Sequence, residues 1–141
     1  MQRIMASTAL VFASALVLAG CAAGDGDGST EAADSCATVT SDVRDISNGA
    51  QNALASTRTP EEIHDALEGY SERVDDLGET LDDGAMSDAL EALDERIDEA
   101  ADFAETLPAD PEAERDAEAI AEQQAAIQEA ATGVNDACAS E

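Results

Sequence analysis

The chain has 141 residues, of which 33 are acidic and only 6 are basic, and its formal net charge at pH 7 is −27. A surface this acidic excludes nucleic acid as a natural partner, and anionic lipid headgroups would repel the folded part of the chain. Tryptophan is absent and aromatic residues make up 2% of the sequence, which argues against a deep aromatic ligand pocket or a strong protein-binding hot spot.

Residues 1–20 have the layout of an export signal. Arg3 lies in a short basic region, and an apolar segment runs from Ile4 to Ala19. This segment is shorter than the roughly 20 residues that a spanning helix needs, and no basic cluster follows it. The sequence therefore predicts a signal peptide rather than a transmembrane anchor.

The signal segment ends in a tetrad that resembles the bacterial lipobox in residue type, order and position: Leu18-Ala19-Gly20-Cys21. The resemblance covers only the first 21 residues, and it identifies no family for the rest of the chain. It implies that Cys21 is acylated, that cleavage falls before it and that it becomes the mature N-terminus. Two or three acyl chains on one residue would hold the protein on a bilayer. An ordinary secretory signal that ends near a buried cysteine is the alternative.

Residues 21–35 follow as a small, polar and acidic segment. Its glycines, serines and acids offer nothing to bury, which is typical of a flexible linker. We predict that this segment is a tether between the lipidated cysteine and a folded domain that spans residues 36–141.

Four segments of this domain carry apolar residues at alternating steps of three and four, which is typical of helices that pack at coiled-coil angles. No segment alternates with a period of two, so the sequence predicts an all-α protein. The predicted core positions are Cys36, Val39, Val43, Ile46, Ala50 and Ala53; Ile63, Leu67, Tyr70, Val74, Leu77 and Leu81; Met86, Leu90, Leu93, Ile97, Ala100, Ala104 and Leu107, with Phe103 alongside; and Ala113, Ala117, Ile120, Gln124, Ile127, Ala131, Val134 and Cys138.

Two helix starts are marked by capping signals. Thr59 precedes Pro60, and Glu62 follows three residues after the threonine, which is a capping box with proline at the first helical position. The sequence Asp110-Pro111-Glu112 predicts that the fourth helix starts in the same way.

Two helix ends are predicted as well, at Gly84 after the second helix and at Pro108 after the third. The connections between the four segments are only a few residues long, which favours antiparallel neighbours. The predicted fold is therefore an antiparallel up-down four-helix bundle.

This topology predicts a disulfide between Cys36 and Cys138. The start of the first helix and the end of the fourth lie at the same end of such a bundle, and both cysteines occupy core positions. Outside the cytoplasm a pair of this kind is expected to oxidise. Two unrelated buried thiols are the alternative.

The single histidine, His64, is a candidate metal ligand. Glu61 and His64 have the Glu-x-x-His spacing of di-iron four-helix bundles, but such a site needs two of these motifs and two further inward carboxylates. His64 also follows the core position Ile63 directly, which places it on the flank of its helix. We therefore predict a solvated histidine, no metal site and no cofactor.

The sequence contains no Gly-x-Ser-x-Gly, Ser-x-x-Lys, phosphate-binding loop or Cys–His signature, so we predict no catalytic residues and no enzymatic activity.

Gln124 is a polar residue at a core position, which usually fixes the register or finds a buried partner. A polar pocket lined by Gln124 is the alternative.

Acidic residues also recur at helical spacing, opposite the apolar positions of the second and third helices. We call these two sets the acidic lines and interpret them as exposed faces kept soluble by charge, with cation binding or a cationic partner as the alternative. Their residues are Asp65, Glu68, Glu72, Asp75, Glu79 and Asp82, and Asp88, Glu91, Glu95, Asp98, Asp102 and Glu105.

The sequence as a whole predicts a non-enzymatic binding or structural module of the cell envelope. Acylated Cys21 would anchor it to the bilayer at the extracytoplasmic face of the cell membrane, with a cationic envelope protein or divalent cations as further partners. One alternative is a cation-binding or metal-sensing lipoprotein that uses the acidic lines. A second alternative is a carrier for a small ligand.

Overall fold

The computed structural model describes residues 29–81, 84–110 and 112–140, and side chains from Cys36 onward. The signal peptide, the lipobox with Cys21 and residues 22–28 lie outside the described residues. No strand occurs in the part that is described, and the predicted all-α class is confirmed. The four helices are α1 (Ser29–Leu54), α2 (Pro60–Gly78), α3 (Ala85–Glu105) and α4 (Ala117–Ser140).

The helices form a closed four-membered ring, in which each one packs against the helices next to it in sequence and α1 also packs against α4. His64 at the start of α2 lies beside Glu105 at the end of α3. Cys36 near the start of α1 likewise meets Cys138 near the end of α4. Neighbouring helices therefore run antiparallel, and the predicted up-down bundle is confirmed. None of the described helices is both long and apolar enough to cross a bilayer.

The apolar residues face one shared core along the axis of the bundle. Burying each leucine or isoleucine in such a core stabilises the fold by about 1.5–3 kcal/mol. The buried apolar residues are Val39, Val43, Ile46, Ala50, Ala53 and Leu54; Ile63, Leu67 and Val74; Met86, Leu90, Leu93, Ile97, Ala100, Ala101, Ala104 and Leu107; and Ile127, Ala131 and Val134.

The core departs from the predicted positions in both directions. Nine of the residues predicted for it are only half-buried: Cys36, Tyr70, Leu77, Leu81, Phe103, Ala113, Ile120, Gln124 and Cys138. Leu54 and Ala101 are buried although the three-and-four spacing omits them, because the apolar stripe of each helix is wider than a single seam. Leu81 lies beyond the end of α2 and is half-buried, whereas Ala117 is exposed at the first residue of α4.

The first helix begins earlier than predicted. The backbone is already helical from Ser29, so residues 29–35 extend α1 beyond Cys36 instead of belonging to the tether. Glu31, Ala32 and Ala33 are good helix formers, and a helix already held in the bundle can continue through them without a new nucleus. This difference shortens the segment between Cys21 and the first helix.

The start of α2 agrees with the predicted capping box. The Glu62 backbone N–H donates to Thr59 Oγ1 at 3.3 Å, and the Thr59 N–H donates to Glu62 Oε2 at 3.0 Å. These bonds to Thr59 lower the pKa of the Glu62 carboxyl below its usual value. Because the folded-state pKa is lowered, the stabilisation from Glu62 is present above its unfolded pKa and is lost as the pH falls.

The predicted end of α2 at Gly84 is wrong. The helix ends at Gly78, and Glu79 caps it by donating its N–H to the carbonyls of Asp75 and Leu77. Gly84 instead precedes α3 as its N-cap residue, in an extended conformation that any residue can adopt. By contrast, α3 ends at Glu105, three residues before Pro108, which agrees with the predicted stop.

The predicted start of α4 at residues 110–112 is also wrong, because the helix begins at Ala117. The Asp110 side chain does accept a hydrogen bond from the Glu112 N–H at 3.0 Å, but it closes only a single turn. Asp116 is the residue that caps α4, since its Oδ1 accepts from two successive N–H groups, of residues 118 and 119, at 3.1 Å each.

Gln124 finds its partner in α1. Its Nε2 donates to the backbone carbonyl of Gln51 at 2.9 Å, and the Gln51 side chain donates in turn to Gln128 Oε1 at 3.2 Å. These bonds fix the height of α4 relative to α1, which is the register role predicted for a polar residue at this position.

Arg115 joins the two connections at one end of the bundle. Its guanidinium donates to the carbonyls of Ser56 at 2.8 Å and Arg58 at 2.5 Å, so the segment before α4 is tied to the segment after α1. Hydrogen bonds from a charged donor to otherwise free carbonyls are among the stronger ones.

We expect Arg115→Ala to lower the free energy of unfolding by about 1–2 kcal/mol, because two carbonyls lose a charged donor. Urea denaturation of both variants and the parent measures the effect. Arg96→Ala is the matched control: among the described side chains Arg96 pairs with Glu95 and Glu99, both on its own helix, and exposed pairs of this kind contribute about 0.5 kcal/mol or less. Equal losses in the two variants would contradict the role assigned to Arg115.

Candidate functional site

The predicted disulfide is present and confirms the pairing of Cys36 with Cys138. The bridge joins α1 to α4 with their Cα atoms 5.6 Å apart, across a sequence separation of 102 residues. Both cysteines are half-buried and pack against the core. Thr40 Oγ1 lies 3.6 Å and Met86 Sδ 4.0 Å from the Cys138 sulfur, so the bridge is a packed part of this end of the bundle.

The two acidic lines lie on the surface, as predicted. Every described member of both lines is exposed, and Asp82 alone lies outside the described residues. Because α2 and α3 are packed side by side, their lines meet in part: Asp75 and Glu79 of one line and Glu91 of the other border the same groove. This meeting depends on how the two helices pack, and the spacing within each helix does not predict it.

Four carboxylates line this groove between α2 and α3, which we call the acidic groove. They belong to Asp75, Glu79, Glu91 and Asp94. Its floor includes the apolar side chains of Val74 and Leu90. The acids come from α2 with its C-cap residue Glu79 and from α3, and carboxylate oxygens are ligands that calcium and magnesium prefer. The groove is open to solvent.

Asp94 is the member that the sequence analysis missed, because it belongs to neither acidic line. Its carboxylate accepts a hydrogen bond from the buried Ser71 hydroxyl in α2 at 2.5 Å. Partial burial raises the pKa of the Asp94 carboxyl; the Ser71 bond opposes this, and the negative charges of Asp75, Asp98 and Glu91 add to it. The one sequence feature that could have indicated partial burial of Asp94 is its position directly after the core residue Leu93.

We expect Asp94→Asn to stabilise the protein at pH 7 by a few tenths of a kcal/mol, because asparagine still accepts from Ser71 but carries no charge. A carboxyl whose folded pKa is raised loses stability as the pH rises from its unfolded to its folded pKa. The gain should therefore vanish below the ordinary aspartate pKa of about 3.9. Urea denaturation at several pH values tests this, with Asp98→Asn as the control that lacks the buried hydroxyl. A gain that is independent of pH would contradict it.

The acidic lines also predict a dependence of stability on salt. Like charges at helical spacing each destabilise by a few tenths of a kcal/mol at low ionic strength. Raising the ionic strength from about 0.01 M to 0.15 M shortens the Debye length from about 30 Å to about 8 Å. We expect the melting temperature to rise by several degrees over this range, measured by circular dichroism. A melting temperature that does not change would show that repulsion between the lines is negligible.

His64 lies on the flank of α2, as predicted, but its surroundings were not predicted. The imidazole is 23% exposed, and its Nδ1 lies 3.6 Å from Glu68 Oε2 and 3.9 Å from Asp65 Oδ1. On the other side of the ring, Nε2 lies 3.7 Å from Glu105 Oε1 of α3. We call these four residues the His64 cluster. It brings one histidine together with carboxylates from two helices.

These features define an acidic four-helix bundle that is closed by a disulfide and carries clustered carboxylates along the α2–α3 face. Comparison with known proteins finds no matching family model, and no curated protein or solved structure that is similar to the chain.

Proposed function

We propose that the protein is a lipid-anchored module of the cell envelope that binds or supports other components and does not catalyse a reaction. The observation that carries this proposal is the tetrad that ends in Cys21 after an export signal. Acyl chains on Cys21 would place the protein on the extracytoplasmic face of the cell membrane.

The disulfide between Cys36 and Cys138 supports an extracytoplasmic location, because such bonds persist in oxidising compartments and are rare in the cytosol. The short chain from Cys21 to Ser29 also has a consequence for orientation. Its 8 residues reach at most about 29 Å. The end of the bundle that carries the disulfide would therefore face the membrane, and the Arg115 end would point away from it.

Mass spectrometry of the protein purified from bacterial membranes tests the anchor. We expect a mature chain that begins at Cys21 and carries the mass of two or three acyl chains. Cys21→Ser should remove the acyl mass and release the protein from the membrane fraction, whereas Cys36→Ser should leave both unchanged. A mature chain without acyl chains would refute the lipid anchor.

A second candidate function is cation binding by the acidic lines, and the observation that favours it is that four carboxylates line one groove between α2 and α3. Calorimetric titration with calcium and magnesium tests it at physiological ionic strength. Saturable binding that is weakened by Glu91→Gln would support a site in the groove. Heat that disappears with added sodium chloride would indicate only screening of the surface charge.

The acidic surface also fits a cationic envelope protein as the partner of the anchored module. Chemical crosslinking in intact cells followed by purification through the bundle tests this partner. We expect recovery of a basic protein whose capture falls as the salt concentration rises, and recovery that is independent of salt would count against the charged surface.

A further inference from the structure

The His64 cluster has a geometry that neither the acidic lines nor the membrane anchor explains. His64 Nδ1, one oxygen of Asp65 and one oxygen of Glu68 lie within 4.8 Å of one another. Nitrogen and carboxylate oxygen are both ligands of divalent transition metals. The three residues lie within five positions of one another in the first half of α2, and both carboxylates lie on the Nδ1 side of the imidazole ring.

The distances in this cluster fit an inserted metal ion better than direct hydrogen bonds. A hydrogen bond from nitrogen to oxygen spans about 2.7–3.2 Å, and the Nδ1 to oxygen separations of 3.6 and 3.9 Å exceed that range. In a tetrahedral site with bonds of about 2.0–2.2 Å, neighbouring ligand atoms lie about 3.4 Å apart. The two Nδ1 to oxygen separations come within about half an ångström of this value, and the Asp65 and Glu68 oxygens lie within 4.8 Å of each other. Small side-chain rotations would therefore complete three ligands.

Glu105 lies at the end of α3, so the cluster includes a carboxylate from a second helix. Its Oε1 lies 3.7 Å from Nε2, on the side of the ring opposite Asp65 and Glu68. Histidines that bind a metal through one nitrogen usually donate the other N–H to a carboxylate, which fixes the tautomer and the ring orientation. At 3.7 Å the pair of Nε2 and Glu105 Oε1 is also longer than a hydrogen bond. A small rotation of the Glu105 side chain would let it accept from Nε2, which would leave Nδ1 for the metal.

We propose that His64 Nδ1, Asp65 and Glu68 bind a divalent transition-metal ion of the zinc class, with Glu105 as the residue that orients the imidazole. The imidazole nitrogen favours this class over calcium and magnesium, which prefer oxygen ligands. The carboxylates are 72% and 61% exposed, so water completes the coordination shell. This site is separate from the acidic groove and does not depend on the lipid anchor.

Zinc titration followed by calorimetry tests the proposal on the full chain in detergent, with Cys21→Ser in every variant so that no free thiol binds zinc. We expect one zinc ion per chain. His64→Ala and Glu68→Gln should each weaken zinc binding at least about tenfold. Glu72→Gln is the matched control, because it removes the same charge from α2 at a position outside the cluster; we expect less than about a twofold change from it.

The single histidine makes a direct readout available, since one imidazole produces all the histidine ring signals in a long-range nitrogen–proton NMR correlation. Zinc should shift the Nδ1 resonance, and an equal concentration of calcium should leave it in place. The proposal is overturned if zinc leaves the imidazole resonances unchanged, if His64→Ala binds zinc as tightly as the parent, or if Glu72→Gln weakens binding as much as Glu68→Gln. These outcomes leave acylation of Cys21 and cation binding in the groove unaffected.

Discussion

Replacing both Cys36 and Cys138 with serine is expected to lower the free energy of unfolding by about 3–5 kcal/mol. The bridge closes a loop across 102 residues, and the chain-entropy model assigns about 4.7 kcal/mol to a loop of about 100 residues. The effect should be large in this bundle, because α4 contributes only three buried apolar residues to the core, Ile127, Ala131 and Val134. Guanidinium denaturation of the parent and the double variant measures it.

The control for this prediction is Cys21→Ser, which makes the same chemical change at the one cysteine outside the bridge. We expect it to leave the free energy of unfolding of the bundle unchanged. Reduction of the parent with a thiol reagent should reproduce the loss seen in the double variant. A loss below about 1 kcal/mol in the double variant would mean that the bridge does not constrain the unfolded chain as the loop model requires.

Leu93→Ala is expected to lower the free energy of unfolding by about 2–5 kcal/mol, because it removes a fully buried side chain and leaves a cavity. Leu93 lies in α3, the helix that packs against both α2 and α4 and contributes seven buried residues. Thermal unfolding followed by circular dichroism measures the change.

The matched control for this core substitution is Leu81→Ala, since Leu81 is only half-buried and lies outside the helices. We expect it to cost well under half of the loss at Leu93, because the side chain keeps part of its contact with water in the folded state. Comparable losses at the two positions would show that the centre of the bundle is not packed as tightly as its burial indicates.

The fold was predictable because the apolar spacing is simple and continuous. The three-and-four spacing of α3 predicts its core residues from Met86 to Leu107, and all of them are buried. The disulfide followed from topology, since an even number of antiparallel helices brings the two ends of the domain together. Helix boundaries were less predictable. Asp110 and Asp116 both offer a capping side chain, and local sequence alone does not show which of them continues into a helix.

The clustered side chains were harder to predict because they depend on contacts between helices. The sequence places Asp94 beside a core position, but only the packing of α2 against α3 puts it opposite Ser71. The sequence does not predict a metal site at His64, because it has a single Glu-x-x-His motif and that motif describes residues of one helix only. The contact of His64 with Glu105 depends on the start of α2 meeting the end of α3, which a periodicity argument does not specify in enough detail.

The bridge between Cys36 and Cys138 also determines how the protein would carry mechanical force. A pull between a membrane-bound N-terminus and the C-terminal residues passes through the two sulfur atoms, because the bridge is the shortest covalent route between them. The helices between the two cysteines lie on a closed loop and bear none of this tension. With the proposed lipid anchor, such a pull would therefore extend the short flanking segments while the bundle stays folded.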